Sequence, residues 1–131
     1  MHIFFDSVNL SSTSGPNSFA KKLIVQLNDL GHACHCHATN KTDIQISFIQ
    51  VTQKIAPTVL RLDGVWFNTA QNWLAQNQPL HESYHAADAV IVQSNFNKQL
   101  TERYFGKHAK SSVIHNGTSF KDISKVASLN D

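Results

Sequence analysis

The sequence predicts an α/β protein, a doubly wound and mostly parallel sheet of about six strands with helices on both faces. Three observations lead to that class. Short apolar runs alternate with segments of helical periodicity along the chain. The apolar runs end in polar or glycine-containing residues, as strands do when loops at one sheet edge carry a site. The length, 131 residues, is that of one domain with room for a real core.

The first strand is "HIFF" at 2–5, followed by the polar, turn-prone "DSVNLSSTSGPN". Phe19, Leu23, Leu27 and Leu30 then recur at helical spacing, and Ala20 and Ile24 widen the stripe. Pro16 suits the first helical turn after Gly15, and Gly31 suits the C-terminal cap. The stretch "ACHCH" occupies the place of a second strand, "DIQISFI" (43–49) reads as a third and "TVLRL" (58–62) as a fourth. Only eight residues separate the last two, too few for an ordinary parallel crossover, so any helix between them is limited to one turn. Pro79 is expected to open a short helix through "PLHESYHAA", and "DAVIVQS" (88–94) is a buried fifth strand. "NFNKQLTERYFG" (95–106) is an amphipathic helix with Phe96, Leu100 and Tyr104 on one face, capped by Asn95 and ended by Gly106. "SSVIHNG" (111–117) supplies a sixth strand and an Asn-Gly turn.

Composition narrows the function classes. Hydrophobic residues make up 41% and charged residues 15% of the chain, as in a globular protein. No apolar run approaches the roughly 20 residues of a membrane span. The start "MHIFFDSVNL" lacks a basic region ahead of its apolar stretch, so a cytoplasmic location is expected rather than secretion. The net charge is only +2, yet six basic residues follow from Lys98 onward (Lys98, Arg103, Lys107, Lys110, Lys121, Lys125) against three acids. A solvated helix face accounts for this, as does a weak attraction to phosphates or to an anionic membrane surface, making peripheral membrane association a second expectation. The aromatics on this stretch do not interleave with these charges in a way that suggests nucleic acid, so nucleic acid is not expected as a partner.

The stretch "GHACHCHATN" packs three histidines and two cysteines into positions 32–37 and raises the question of a metal. On a strand, Cys34 and Cys36 face one way while His35 and His37 face the other. Residues two apart on a strand lie about 6.5–7 Å from each other. Two thiolates sharing a zinc at about 2.3 Å per bond must come considerably closer. No second Cys pair or spaced His pair completes a set, so a strand with incidental His and Cys is the expectation and no metal ligand is assigned.

In doubly wound sheets ligands sit beyond the carboxyl ends of the strands. That rule selects Asp6 and the loop to Asn17, Asp63 with Gly64, Ser94 with Asn95, and Asn116 with Gly117. These residues also carry a resemblance. "SSTSGPNSFAKKLIVQLNDLGH" looks like the first strand–helix unit of family 4 glycosyltransferases, where a Gly-Gly-Pro-like loop opens the helix and a Gly-His pair precedes the second strand. "TVLRLDGVWF" is similar to the Arg-Leu-Asp-Gly-aromatic segment of one subgroup. "YHAADAVIVQSNFNKQLTERYFG" with "SVIHNGT" resembles the family's Tyr-x-x-Ala-Asp, Gln-Ser, Phe-Gly and Val-Ile-Tyr-Asn-Gly-Val-Asp succession. The pieces span nearly the whole chain in order. Departures are the "NGTS" at 116–119, which lacks the family's aspartate, the single glycine of the first loop, and Asp63 near the place of a cleft histidine.

The resemblance implies one half of a GT-B fold, with a Rossmann-like N-terminal domain over 1–118 and a linker-like tail over 119–131. The tail would lead toward a C-terminal donor-binding domain, whose Glu-x7-Glu motif is absent from the chain. The implied activity is retaining transfer of a sugar from a nucleotide-sugar donor to an acceptor hydroxyl, without a required metal or other cofactor. The N-terminal half receives a sugar or lipid-linked acceptor and is inactive without its donor-binding partner, on the same or a companion chain. An uncovered cleft face would favour dimers.

The implied site residues each have two readings. Gly15 and Pro16 let backbone N–H groups approach a phosphate at the helix N-terminus, and Asn17 adds a donor or simply caps the helix. Asp63, the tentative catalytic residue, accepts a hydrogen bond from the acceptor hydroxyl or pairs with Arg61. Gly64 follows in the same segment. Ser94 and Asn95 bind hydroxyls, or Asn95 caps its helix. Asn116 and Gly117 contact ligand or form the turn into the hinge. Trp66 and Phe67 form a sugar-stacking platform or belong to a core or domain interface. Two other function classes remain beside the transferase: a stand-alone sugar- or nucleotide-binding module without catalysis, and a metal-binding protein built on His32–His37.

Overall fold

The computed structural model describes residues 1–11, 15–62 and 73–115. They build β1 (His2–Asp6), α1 (Gly15–Asp29), β2 (Ala33–His35), β3 (Ile44–Phe48), β4 (Thr58–Leu62), α2 (Trp73–Ala86), β5 (Ala89–Val92), α3 (Asn95–Phe105) and β6 (Ser111–Val113). The six strands form one sheet in the order β2-β1-β3-β4-β5-β6, and every neighbouring pair is parallel. The fold is therefore α/β and Rossmann-like, with a wholly parallel sheet.

Strand order decides where the helices go. From β1 the chain moves one way across the sheet to β2, and from β3 onward it moves the other way. Right-handed crossovers in opposite directions place their helices on opposite faces. The two apolar clusters follow that rule. Ile3, Phe5 and Phe48 meet Ala20 of α1, with Phe19, Leu23, Ile24 and Leu27 packed around them. Leu60, Leu62, Val90 and Val92 meet Leu80, Tyr84 and Ala87 of α2 and its end, and Phe105 of α3. Each large side chain sealed in this way contributes about 2 kcal/mol through removal of apolar surface from water.

The helix ends show local chemistry at work. Gly31 has φ +93°, its N–H donates to the Asn28 carbonyl, and the His32 N–H donates to the Leu27 carbonyl. That pair of bonds is a Schellman motif, and Gly31 fits its left-handed position without a Cβ penalty. Leu30, expected on the buried stripe, is 73% exposed because the helix has ended and its side chain lies past the sheet contact. At α3 the cap is Ser94 and not Asn95: the Ser94 Oγ accepts the Asn97 N–H at 3.1 Å. Phe96 is likewise corrected, being 65% exposed, while Thr101 and Phe105 are the buried residues of that helix. Leu100 and Tyr104 pack against the core as expected.

Two further expectations are revised. Pro79 lies inside α2, which begins at Trp73. Its missing N–H costs the helix one backbone bond, yet packing of Leu80 and Tyr84 on the sheet sustains the turn around it. The strands are also shorter than the apolar runs suggest: β2 ends at His35, β5 covers Ala89–Val92 and β6 stops at Val113. The connection from β3 to β4 holds no helix at all. The tail at 119–131 and the Asn-Gly turn lie outside the described residues. Among the described residues no helix is long and apolar enough to cross a membrane.

Candidate functional site

In doubly wound sheets ligands sit at the carboxyl edge, and in this chain the geometry of that edge centres on β1 and β3. These two neighbours send their following segments in opposite directions, which opens a crevice at the switch point. Both strand ends there are backbone exceptions. Ser7 has φ +64° and Ile49 has φ +68°, and among the described residues they are the two non-glycine residues with positive φ. The Gln50 N–H donates to the Phe48 carbonyl at 2.7 Å, so Ile49 is the centre of a γ-turn of the rare positive-φ form. A β-branched residue there is strained by about 1–3 kcal/mol. The Ser7 Oγ donates to the Gln50 carbonyl at 3.2 Å and ties the two strand ends together.

What holds the strained turn is a buried polar network beneath it. Asp6 ends β1 and is buried. Its Oδ2 accepts from the Ser47 Oγ at 2.9 Å, from the Thr52 N–H at 2.8 Å and from the Gln45 Nε2 at 3.4 Å. Its Oδ1 accepts from the Thr52 hydroxyl. Gln45 extends the network, donating to the Ser47 Oγ at 3.0 Å and to the Gln53 carbonyl, while its Oε1 accepts the Ile55 N–H at 3.0 Å. The loop is also held from α2, where the Ser83 Oγ accepts the Val51 N–H at 2.8 Å. Asp6 is thus spent on structure. A carboxylate with this many donors is a good anchor.

The loop after β1 folds back on the first turn of α1. The Asn17 Oδ1 accepts the Asn9 N–H at 2.8 Å, and the Asn9 Oδ1 accepts from the Ser11 N–H at 3.1 Å and the Ser11 hydroxyl at 2.6 Å. Asn17 therefore positions the loop in front of the α1 N-terminus, which opens at Gly15 and Pro16. The N–H groups of a helix start favour an anion there. Ser94 reaches the same edge from β5, with its Oγ engaged as the α3 cap, and Asn95 is exposed beside it. Asn95 also rims an open cleft of about 570 Å³ that runs along α3 past Lys98 and Glu102 to Lys107 and His108.

Arg61 is placed differently from the rest. It is buried on the α1 face of β4, with its guanidinium carbon 3.8 Å from the centre of the Phe19 ring. Such a cation–π contact contributes about 1–2 kcal/mol when desolvated. Asp63, Gly64, Asn116 and Gly117 lie outside the described residues, as do Trp66 and Phe67. Gly15, Pro16, Asn17, Ser94 and Asn95 thus lie along one edge, but β3 and β4 separate the α1 start after β1 from Ser94 and Asn95 after β5, and Arg61 lies under α1.

In the His/Cys stretch Cys34 and His35 are half-buried, while Cys36 and His37 are exposed. Cys34 is packed against the α1 cluster, and His35 stacks on His2 at 5.5 Å with rings 12° from parallel. The two imidazoles also approach through His2 Nδ1 and His35 Nε2 at 3.3 Å. Burial pushes both the Cys34 and the Cys36 thiol up from the usual range. Among the described residues no three His, Cys, Asp or Glu side chains are grouped to hold one ion.

The switch-point turn and the Asp6 network escaped the sequence reading. A signal was present: Gln45 and Ser47 alternate with Ile44, Ile46 and Phe48 in a strand that a doubly covered sheet should make almost wholly apolar. Two inward polar side chains in such a strand require a partner, and Asp6 at the end of the neighbouring strand is that partner. No family model matches this chain, and neither a curated protein nor a solved structure matches it.

Proposed function

We propose that this chain is the acceptor-side half of a retaining glycosyltransferase, which receives a sugar or lipid-linked acceptor at the carboxyl edge of its sheet. The observation that carries the reading is that the α1 N-terminus, the strained turn at Ile49 and the Ser94 cap all lie on that edge. The resemblance of the strand-end segments to family 4 enzymes supplies the reaction class. On this reading a donor-binding domain supplies the nucleotide-sugar, and no metal takes part. The half described here contributes positioning and electrostatics, which can lower a barrier by several kcal/mol. Gly15 and Asn17 present backbone N–H groups to the donor phosphates or to acceptor hydroxyls, Pro16 fixes the first turn of the helix between them, and Asp63 accepts the hydrogen bond of the attacking hydroxyl. Arg61 adds positive charge behind the site, while Gly64, Ser94, Asn95, Asn116 and Gly117 complete the rim.

A second reading, a sugar- or nucleotide-binding module without catalysis, is favoured by one fact. Among the described residues the buried carboxylate at this edge, Asp6, has its oxygens occupied by Ser47, Thr52 and Gln45. One experiment separates the readings. Amide spectra of the full chain are recorded with UDP-glucose, GDP-mannose and simple acceptor sugars at millimolar concentration. Both readings expect shifts at Ser7, Asn9, Asn17 and Asn95, and a silent carboxyl edge would overturn both. Turnover on addition of a donor-binding domain, lost in Asp63→Asn, supports the transferase; binding that yields no product with such domains supports the module.

A further inference from the structure

The sheet ends at β6, which pairs with β5 on one side; among the described residues no strand lies on its other side. In the β5–β6 ladder the Lys110 carbonyl accepts the Val90 N–H at 2.8 Å, and the Ile114 N–H donates to the Val92 carbonyl at 2.9 Å. Backbone groups alternate in direction along a strand, so the N–H and C=O groups of Ser111 and Val113 point away from β5. Such a row is a template for a further strand.

Beside this edge lies a walled groove. Val113 packs against the cluster that holds Phe105, so Ser111, two residues earlier, also points to the α3 face. There it lines the open cleft of about 570 Å³, with Lys98, Gln99 and Glu102 of α3 as one wall and Lys107 and His108 as its end. His108 fixes that end. Its Nδ1 accepts the Lys110 N–H at 3.1 Å, which leaves Nε2 to donate to the Ala87 carbonyl at 2.9 Å. The wall from Asn95 to Glu102 is about 10 Å long at 1.5 Å per residue, the length of a short extended segment matching β6.

Charge selects the kind of strand that fits. Lys98 and Lys107 line the cleft, Lys110 immediately precedes β6, and Glu102 is the one acid among the described lining residues. Among the described residues no ion pair engages Lys98, Lys107 or Glu102. Two copies of this chain pairing edge to edge through β6 would bring both sets of lysines together, which works against a dimer.

We propose that the groove between α3 and the outer edge of β6 receives an extended acidic peptide segment of a partner protein. The peptide backbone pairs with Ser111 and Val113, and its carboxylates meet Lys98 and Lys107. Exposed ion pairs contribute little each, so the main-chain bonds supply affinity and the lysines supply selectivity. The site stands whether or not the chain transfers sugars.

Titration of the full chain with two short capped peptides tests it, one alternating Glu with Thr and the other alternating Lys with Thr. At saturation the Glu peptide should shift the Ser111 and Val113 amide signals and slow their hydrogen exchange at least about fivefold, and the Lys peptide should do neither. The double variant Lys98→Glu/Lys107→Glu should bind the Glu peptide about tenfold more weakly. Ser111→Pro removes an outward N–H but no bond to β5, and should weaken binding as well. Shifts at Lys98 and Lys107 with unaltered exchange at Ser111 and Val113 would mean charge contact without an added strand, and would overturn the proposal. So would a Glu peptide that does not bind, or equal binding of the two peptides. Protection of Ser111 and Val113 that grows with protein concentration alone would give the edge to a second copy and overturn it too.

Discussion

On the face of the sheet opposite α1, two neighbouring regions are covered by different means. Across β4 and β5 that face carries Leu60, Leu62, Val90 and Val92, and α2 and α3 lie on it with Leu80, Tyr84 and Phe105. Across β1 and β3 it carries Phe4, Asp6, Gln45 and Ser47. A loop lies there instead of a helix, held by hydrogen bonds to Asp6, Gln45 and Ser83. A helix satisfies its own backbone and can offer an apolar stripe to the sheet. A nine-residue connection between parallel strands cannot, so its N–H groups need acceptors and the sheet below supplies them. The polar region is also the one beside the switch point. There the same bonds fix a turn that would relax if its anchors were removed.

The apolar region should give the largest single effect. Tyr84 is buried, packs 5.5 Å from the Phe105 ring and 5.1 Å from the His108 ring, and donates its hydroxyl hydrogen to the Gly106 carbonyl at 2.7 Å. Tyr84→Ala should cost about 4 kcal/mol in denaturant unfolding, as large aromatic truncations do. Tyr84→Phe should cost about 1 kcal/mol, the net value of one hydrogen bond. If the two variants were equally costly, the region would depend on the hydroxyl and the contrast with its neighbour would fail.

Asp6→Ala should cost about 3 kcal/mol, because it strands buried donors from Ser47 and Thr52 at about 1–3 kcal/mol each with partial recovery by water. Its signature is local. Hydrogen exchange should quicken at Thr52 and Ile55 before it changes at Val90 or Val92. A uniform loss of protection would show that the polar and apolar regions unfold as one unit.

Ile49→Gly sharpens the comparison from the other side. Removing the Cβ at φ +68° relieves about 1–2 kcal/mol of strain, while glycine's extra freedom in the unfolded chain returns about 0.5–1 kcal/mol. The net expectation is a small gain, about 0.5 kcal/mol, together with weaker binding of any ligand at the switch point. A loss of stability would mean that the isoleucine side chain stabilises the turn more than its backbone strains it.

Much of this architecture was legible in the chain, for reasons that differ between regions. Strand identity followed from runs such as "TVLRL" and "DAVIV", which are mostly apolar on both faces. The α1 C-terminus followed from Gly31, since few other residues occupy a left-handed cap comfortably. Buried and exposed apolar residues were harder to separate at helix ends. Leu30 and Phe96 share the periodicity of their helices but fall beyond the sheet they would pack on. Asn95 looked like a cap because Ser94 and Asn95 are both good caps, and only the register of the first turn decides between them. The site was legible as an edge rather than as a set of contacts. A sequence shows that Asp6 ends a strand; it does not show that Ser47 and Thr52 from a later segment will occupy its oxygens.

The smallest expected effect concerns Asp88, the exposed counterpart of Asp6. It too anchors the connection between β3 and β4, accepting the Thr58 N–H at 2.7 Å and pairing with the Lys54 ammonium at 3.1 Å. The Thr58 N–H first, and the Lys54 ammonium second, hold its carboxyl below the usual carboxylate range. The folded state therefore favours the ionised form. The stability this provides is fully present above the ordinary value of about 4 and is lost as pH falls through the lowered folded value. Asp88→Asn should accordingly narrow its stability difference from the parent chain only on the acid side, and leave it constant through neutral pH. Because the ion pair is exposed, Lys54→Met should remove the salt dependence of that difference but not its acid dependence, which rests on the backbone hydrogen bond. An acid dependence that vanished with Lys54 would assign the anchoring to charge alone. The exposed tie would then differ in kind from the buried one at Asp6, where neutral donors do all the holding.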